Sequence, residues 1–234
     1  YFDALPPAGL VGDIAQYTLD SAPRPNKAFA LMTGLMTVSL ISRNQYAVEG
    51  FNTRLNLYAL GVGPTASGKE QPRKVMSDLA WRVDMAEHCR DGAASGSALI
   101  KSLADAEQHV LSLWIDEVWD LLFSINSGQG SVHAKQLGAT LMSLYGLADK
   151  TFSGRIYSDR KENVEPIKNP YLVFGGATTP QRFADVLSST QVADGFLNRL
   201  LVFNSGEFSP IQLPKVTQPP PKLIAALGQV MKAN

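Results

Sequence analysis

At 234 residues, 45% of them apolar and 18% charged, the chain is long enough to bury a core of its own and too apolar for disorder throughout. Its 21 basic and 21 acidic residues balance, so no overall cationic excess advertises a nucleic-acid partner, although a local basic surface is compatible with a neutral total. The single cysteine, Cys89, excludes an internal disulfide and fits a reducing, cytoplasmic setting, while His88, His109 and His133 lack zinc-ligand spacing with it.

The chain begins at Tyr1 rather than Met, which reads as a fragment of something longer, and it opens with a Pro- and Gly-rich stretch carrying a short amphipathic run over 11–19. Asn26 is placed to cap a helix running to about Arg43, apolar nearly all the way round and therefore buried. Its core "AFALMTGLMTVSLI" is shorter than the roughly 20 residues a membrane span needs, so no membrane partner is expected. Residues 1–50 thus read as a helical lead-in packed on a core spanning 51–210.

Within that core, "RLNLYALGVG" (54–63) is a buried strand stopped by glycines. A helix follows from Glu70 to about His88, with Val75, Met76, Leu79, Val83 and Ala86 on one face and Pro72 in its first turn. "DGAASGS" (91–97) reads as a loop, and 98–108 as a helix that Ser95 or Ser97 caps. "HVLSLWIDEVWDLL" (109–122) is an apolar strand ending in two acids and running into a helix; "NSGQGS" breaks it before an amphipathic helix over 132–150. The polar stretch 152–169 predicts a hairpin or exposed excursion, 170–183 a strand, polar tip and helix start, and 194–204 a turn with an arginine followed by a strand. No internal repeat is visible. Pro-rich 213–222 marks a linker before a last helix, so 211–234 forms a tail. Strands alternating with helices predict an α/β fold with a mostly parallel central sheet flanked by helices.

Four elements carry chemistry. Gly63, Pro64, Thr65, Ala66, Ser67, Gly68 and Lys69 fit the Walker A loop G-x-x-x-x-G-K-[ST], in which backbone N–H groups and the lysine surround nucleotide phosphates, but Glu70 stands where the metal-binding hydroxyl belongs. A plain glycine turn between strand and helix gives the same local pattern. Asp116 and Glu117 end an apolar strand, as do the acids that hold Mg²⁺ and polarise the attacking water in phosphate-loop ATPases; an acidic helix start would look alike. Thr178 and Thr179 follow a third strand, at the place of a γ-phosphate sensor, with helix capping ahead of Pro180 as the alternative for Thr179. Arg199 lies between a turn and a strand, where an arginine reaches the phosphate held by a neighbouring subunit; Arg182 is a weaker rival, and either could be an ordinary ion pair. The order of all four favours a phosphate-loop NTPase whose site lies beyond the carboxyl ends of the strands.

"GVGPTASGKE", "LWIDEVWDLL", "NPYLVFGGATTPQRF" and "DGFLNRLLVF", in that order, resemble the helicase-like ATPase domains of phage, prophage and plasmid replication proteins, often fused to primase-polymerase domains. The resemblance runs over about 5–210. It implies a RecA-like or AAA+-like core of the additional-strand class, a ring-forming homo-oligomer, and ATP-driven movement on DNA. Carried over, Lys69 is the Walker A lysine, Asp116 and Glu117 are the Walker B acids, Thr178 or Thr179 is the sensor and Arg199 the arginine finger. ATP and Mg²⁺ are the expected ligands, with Asp116 and Glu70 as metal-binding candidates.

The expected function is therefore an ATP-hydrolysing motor domain of a mobile-element DNA replication protein. A nucleotide-gated assembly module with poor turnover, favoured by Glu70, and a DNA-packaging or partner-loading ATPase remain alternatives. Arg155, Arg160 and Lys161, in the polar stretch, are the candidate DNA contacts, since phosphate contacts draw on flexible cations.

Overall fold

The computed structural model describes residues 7–51, 53–126, 131–154, 163–188, 195–206 and 209–232. At its centre, β3 (Tyr58–Val62), β4 (Cys89–Asp91), β5 (Val110–Ile115), β8 (Tyr171–Thr178) and β9 (Leu200–Asn204) form one sheet in the order β4-β5-β8-β3-β9. Every pairing in it is parallel. The expected α/β architecture with a parallel sheet between helices is present. Two small antiparallel pairs lie outside it, β1 (Ala47–Val48) with β2 (Thr53–Arg54) and β6 (Thr151–Phe152) with β7 (Ile167–Lys168).

Alternation along the strands divides the core into two layers, because successive side chains of a strand point to opposite faces. Ala59, Val110, Trp114, Tyr171, Val173 and Ala177 face α1 (Leu10–Ser21), α2 (Lys27–Ser42), α3 (Gln71–Arg82) and α8 (Pro221–Lys232). Leu60, Leu111, Leu113, Leu172 and Phe174 face α4 (Gly96–Asp105), α5 (Trp119–Asn126), α6 (Val132–Tyr145) and α7 (Pro180–Ser188). Helix α2 is apolar on all sides because it lies between the sheet and helices α1, α3 and α8. Asn26 caps it as the sequence predicts, its Oδ1 accepting the Phe29 N–H, while Nδ2 donates to Ser205 O and ties the helix start to the end of β9.

Three details differ from the sequence expectation. Helix α3 ends at Arg82, not near His88: Asp84 takes a left-handed φ of 58°, and Met85 N–H bonds back to Ala80 O. That turn buries Met85 and leaves Ala86 exposed, while Val75, Met76, Leu79 and Val83 are buried as the predicted face requires. It also feeds β4, a strand too short to show in the pattern. The Pro-rich segment before α8 is tied down rather than loose, since Gln212 N–H reaches Pro23 O and Lys215 N–H reaches Asp20 O. Among the described residues no helix is long and apolar enough to cross a membrane.

Candidate nucleotide-binding site

Parallel pairing brings four chain segments to one end of the sheet. Val62 pairs with Thr178 and Ile115 with Gly176, so the glycine loop, the two acids and the threonines all leave the sheet at the carboxyl ends of adjacent strands. Gly63 N–H extends the ladder to Thr178 O, and Ser205 N–H bonds Val62 O. At Gly63 a Cβ would lie 2.5 Å from Ser67 Oγ and 2.9 Å from both the Phe29 ring and Ser205 Oγ, so only glycine lets the chain turn there. Gly68 has φ +85° with Arg24 O 3.0 Å from its would-be Cβ, and Ala66 shares the left-handed region at 62°.

These left-handed residues curl the loop into a concavity before α3. Ser67 N–H bonds Pro64 O and Gln71 N–H bonds Gly68 O. Among the described residues the N–H groups of Ala66, Gly68, Lys69 and Glu70 meet no protein acceptor. Consecutive free amides at a helix start form an anion cradle. Ser67 Oγ and Thr178 Oγ1 are buried without a partner on either side of Gly63.

Apart from Glu70, the charged side chains described around the loop are paired. Lys69 Nζ donates to Glu117 Oε1 at 2.8 Å, with the lysine side chain 16% and the glutamate 50% exposed. Arg182 Nη1 donates to the other oxygen of Glu117 at 3.3 Å and lies over the Trp119 ring. Glu117 adopts φ 51°, and the turn is closed by Val118 N–H on Ala177 O. Asp116 is held by the Trp114 indole N–H at 2.8 Å and by Arg73, whose Nε stands 3.5 Å away while its Nη1 reaches Asp91 Oδ2 at 3.1 Å. Trp114 owes its position to Gly175 on β8, where a Cβ would overlap the indole ring.

Of the predicted residues, Gly63, Pro64, Thr65, Ala66, Ser67, Gly68, Lys69, Asp116, Glu117 and Thr178 gather at this end. Thr179 occupies the N-cap position of α7, where its carbonyl takes the Phe183 N–H and its hydroxyl makes no bond among the described residues. Glu70 is exposed at the start of α3, makes no capping bond and no ion pair, and borders a cleft of about 200 Å³ with Arg24, Gln71 and Ile211. Arg199 lies at the other end of the sheet, just before β9, with Nη1 on Gly195 O at 2.6 Å and its guanidinium 5.8 Å from the Tyr145 ring centre. There burial holds the Tyr58 hydroxyl well above the usual phenol range, with Tyr145 adding to the effect and Arg199 opposing it. Of the two arginines singled out for the phosphate-contacting role, Arg182 is the one beside the loop within one chain. Arg155, Arg160 and Lys161 lie outside the described residues.

Arg73 and Asp91 belong to the cluster and escaped the sequence reading. Arg73 was detectable as a cation four residues beyond Lys69, in the first turn of α3. Asp91 ends a strand too short to be noticed. Beside the loop on the β9 side, a second cavity of about 540 Å³ is bordered by Asp20, Asn26, Ser205, Gln212 and Lys215. No family model and no curated protein matches the chain, so geometry and chemistry carry the functional reading.

Proposed function

We propose that the chain is an ATP-binding and ATP-hydrolysing domain of the phosphate-loop class, acting as the motor of a mobile-element replication protein. The observation that carries this reading is the pairing of Lys69 with Glu117 at the foot of a loop whose amides are free. The strand order supports it, since β8 lies between the loop strand and the acid strand, as the additional-strand class implies. The two clefts beside the loop leave room for a nucleoside.

Phosphates settling on the free amides draw Lys69 away from Glu117, because a multiply charged anion outcompetes one carboxylate for the ammonium. Released, Glu117 accepts a proton from a water whose oxygen attacks the γ-phosphorus as the bond to the β-γ bridging oxygen breaks. Thr178 Oγ1, buried and unpartnered, is positioned to hold that water or a γ oxygen. Hard-oxygen carboxylates beside two unpartnered hydroxyls suit a magnesium-nucleotide, with Asp116 as the residue to hold the ion through its exposed carboxylate. Mg²⁺ bound there would neutralise charge on the phosphate oxygens. Arg199, remote from its own loop, fits a residue acting on a neighbouring subunit in a ring, and ATP-driven movement on DNA follows from the resemblance alone.

A second reading, a nucleotide-gated module with poor turnover, has its own support: Glu70 replaces the hydroxyl, and Arg73 stands against Asp116 as a competing cation. One pair of variants separates the two. Lys69→Ala is expected to lose ATP binding and the thermal stabilisation that ATP confers on the parent, while Glu117→Gln retains binding and loses hydrolysis. Equal stabilisation of Lys69→Ala and the parent would remove the loop from the site. A parent that binds ATP yet turns over no faster than Glu117→Gln would establish the gated module.

A further inference from the structure

The turns that feed β4 and β5 lie at the amino-terminal end of the sheet, opposite the glycine loop. Ala86–His88 leads into β4 and Glu107–His109 into β5, and the two strands are hydrogen-bonded neighbours. There a ring nitrogen of His88 and one carboxylate oxygen each of Glu87 and Glu107 lie within 4.8 Å of one another. The His88 side chain is buried, at 1% exposure. Its Nδ1 lies 2.9 Å from Val110 O, and since a carbonyl can only accept, Nδ1 carries the hydrogen. In the neutral ring the lone pair therefore belongs to Nε2, which is buried with no hydrogen-bond partner. Neither Glu87 nor Glu107 forms an ion pair among the described residues, although the two acids crowd each other.

We propose that Glu87, His88 and Glu107 form a binding site for a divalent transition-metal ion of the zinc type, which staples the two turns together. An imidazole whose other nitrogen donates to a backbone carbonyl is the arrangement that fixes a metal-binding histidine in the right tautomer. One nitrogen with two carboxylates suits Zn²⁺ or its neighbours in the first transition row, whereas Mg²⁺ prefers oxygen alone. Ligand atoms around a tetrahedral zinc stand about 3.4 Å apart, so from separations within 4.8 Å the two carboxylates close in by at most about 1.4 Å, a movement open to exposed side chains. Sequence spacing to Cys89 did not reveal the site because its third ligand comes from the turn before the next strand.

The test is calorimetric titration of Zn²⁺ into the EDTA-stripped, dialysed chain without nucleotide, with melting temperature as a second readout. One equivalent is expected to bind and to raise the melting temperature. Glu87→Gln and Glu107→Gln, exposed positions that leave the buried imidazole in place, are each expected to weaken binding about tenfold or more. Cys89→Ser and Lys69→Ala are expected to bind as the parent does. Absence of saturable binding, or equal binding by the parent and the double glutamine variant, overturns the proposal. So does loss of binding in Cys89→Ser, which would move the ion to the thiol, or displacement of Zn²⁺ by equimolar Mg²⁺, which would reduce the site to a carboxylate pair. No arm of the experiment depends on the nucleotide site.

Discussion

At the carboxyl end of the sheet the unmet groups are donors: the N–H groups of Ala66, Gly68, Lys69 and Glu70, set in a loop whose charges pair between separate elements. At the amino end the cluster of Glu87, His88 and Glu107 leaves acceptors unmet, while Arg199 bonds back through Nη1 to Gly195 O within its own turn and keeps a buried Nε without a partner. The first end is suited to an anion and the second to a cation. The manner of pairing differs as well. Lys69 and Arg73 reach acids on other elements, contacts that an incoming ligand can exchange, whereas Arg199 is fixed locally between Gly195 and Tyr145.

The largest expected effect concerns the two arginines. If Arg199 acts on a neighbouring subunit, Arg199→Ala lowers turnover about 10³-fold with ATP affinity nearly unchanged, because its contact forms in the transition state. Arg182→Ala instead releases one oxygen of Glu117 within the same chain and changes turnover by a smaller factor. Steady-state hydrolysis with separately measured ATP affinity decides between them. A larger loss in Arg182→Ala would make Arg199 a structural residue and place the working arginine at the loop end.

Next comes the glycine beneath Trp114. Gly175→Ala inserts a methyl group into the indole ring and Met36, and is expected to cost about 1–3 kcal/mol by chemical denaturation. It should also shift Asp116 and weaken Mg²⁺-dependent binding, since the indole N–H holds that carboxylate. Stability loss with unchanged Mg²⁺ dependence would separate the tryptophan from the acid. A smaller effect is expected at the mouth of the loop. Glu70→Ser removes a negative charge next to the free amides and should strengthen ATP binding in EDTA severalfold, as like charges a few Å apart repel even in a high-dielectric setting. An unchanged affinity would mean that the carboxylate acts only on the cleft it shares with Arg24 and Ile211. Smallest is Ala66→Gly, which relieves a left-handed alanine at φ 62° and should raise stability by about 1 kcal/mol in a thermal melt.

Much of this arrangement is legible in the sequence because it is local. The strand, glycine loop and helix over 58–82 are contiguous, although the apolar run that predicts the strand begins at 54, and Asn26 and Ser95 cap helices within one turn of themselves. What escaped is set by contacts between distant segments. The helical pattern of α3 continues through Ala86, yet the chain turns at Asp84 because it must enter β4 and bury Met85. Glu117 lies near Lys69 and Arg182 only because β5, β8 and β3 are adjacent and parallel. Arg199 is an arginine-finger candidate by resemblance alone, and the direction of β9 determines which end of the sheet it occupies.

The stacking of Trp114 over Gly175 has an optical consequence. Its indole N–H is donated to Asp116, and Trp119, two residues beyond Glu117, lies beneath the Arg182 guanidinium, so two of the three tryptophans report on the two acids of the candidate site. Trp81 is 65% exposed and is the indole most open to an aqueous quencher such as iodide. With its emission suppressed, the remaining fluorescence comes from rings whose electronic surroundings change when Asp116 exchanges Arg73 for another cation or when Glu117 releases Arg182. The unlabelled protein therefore carries its own spectroscopic gauge of occupancy at the loop end, one that responds without any turnover.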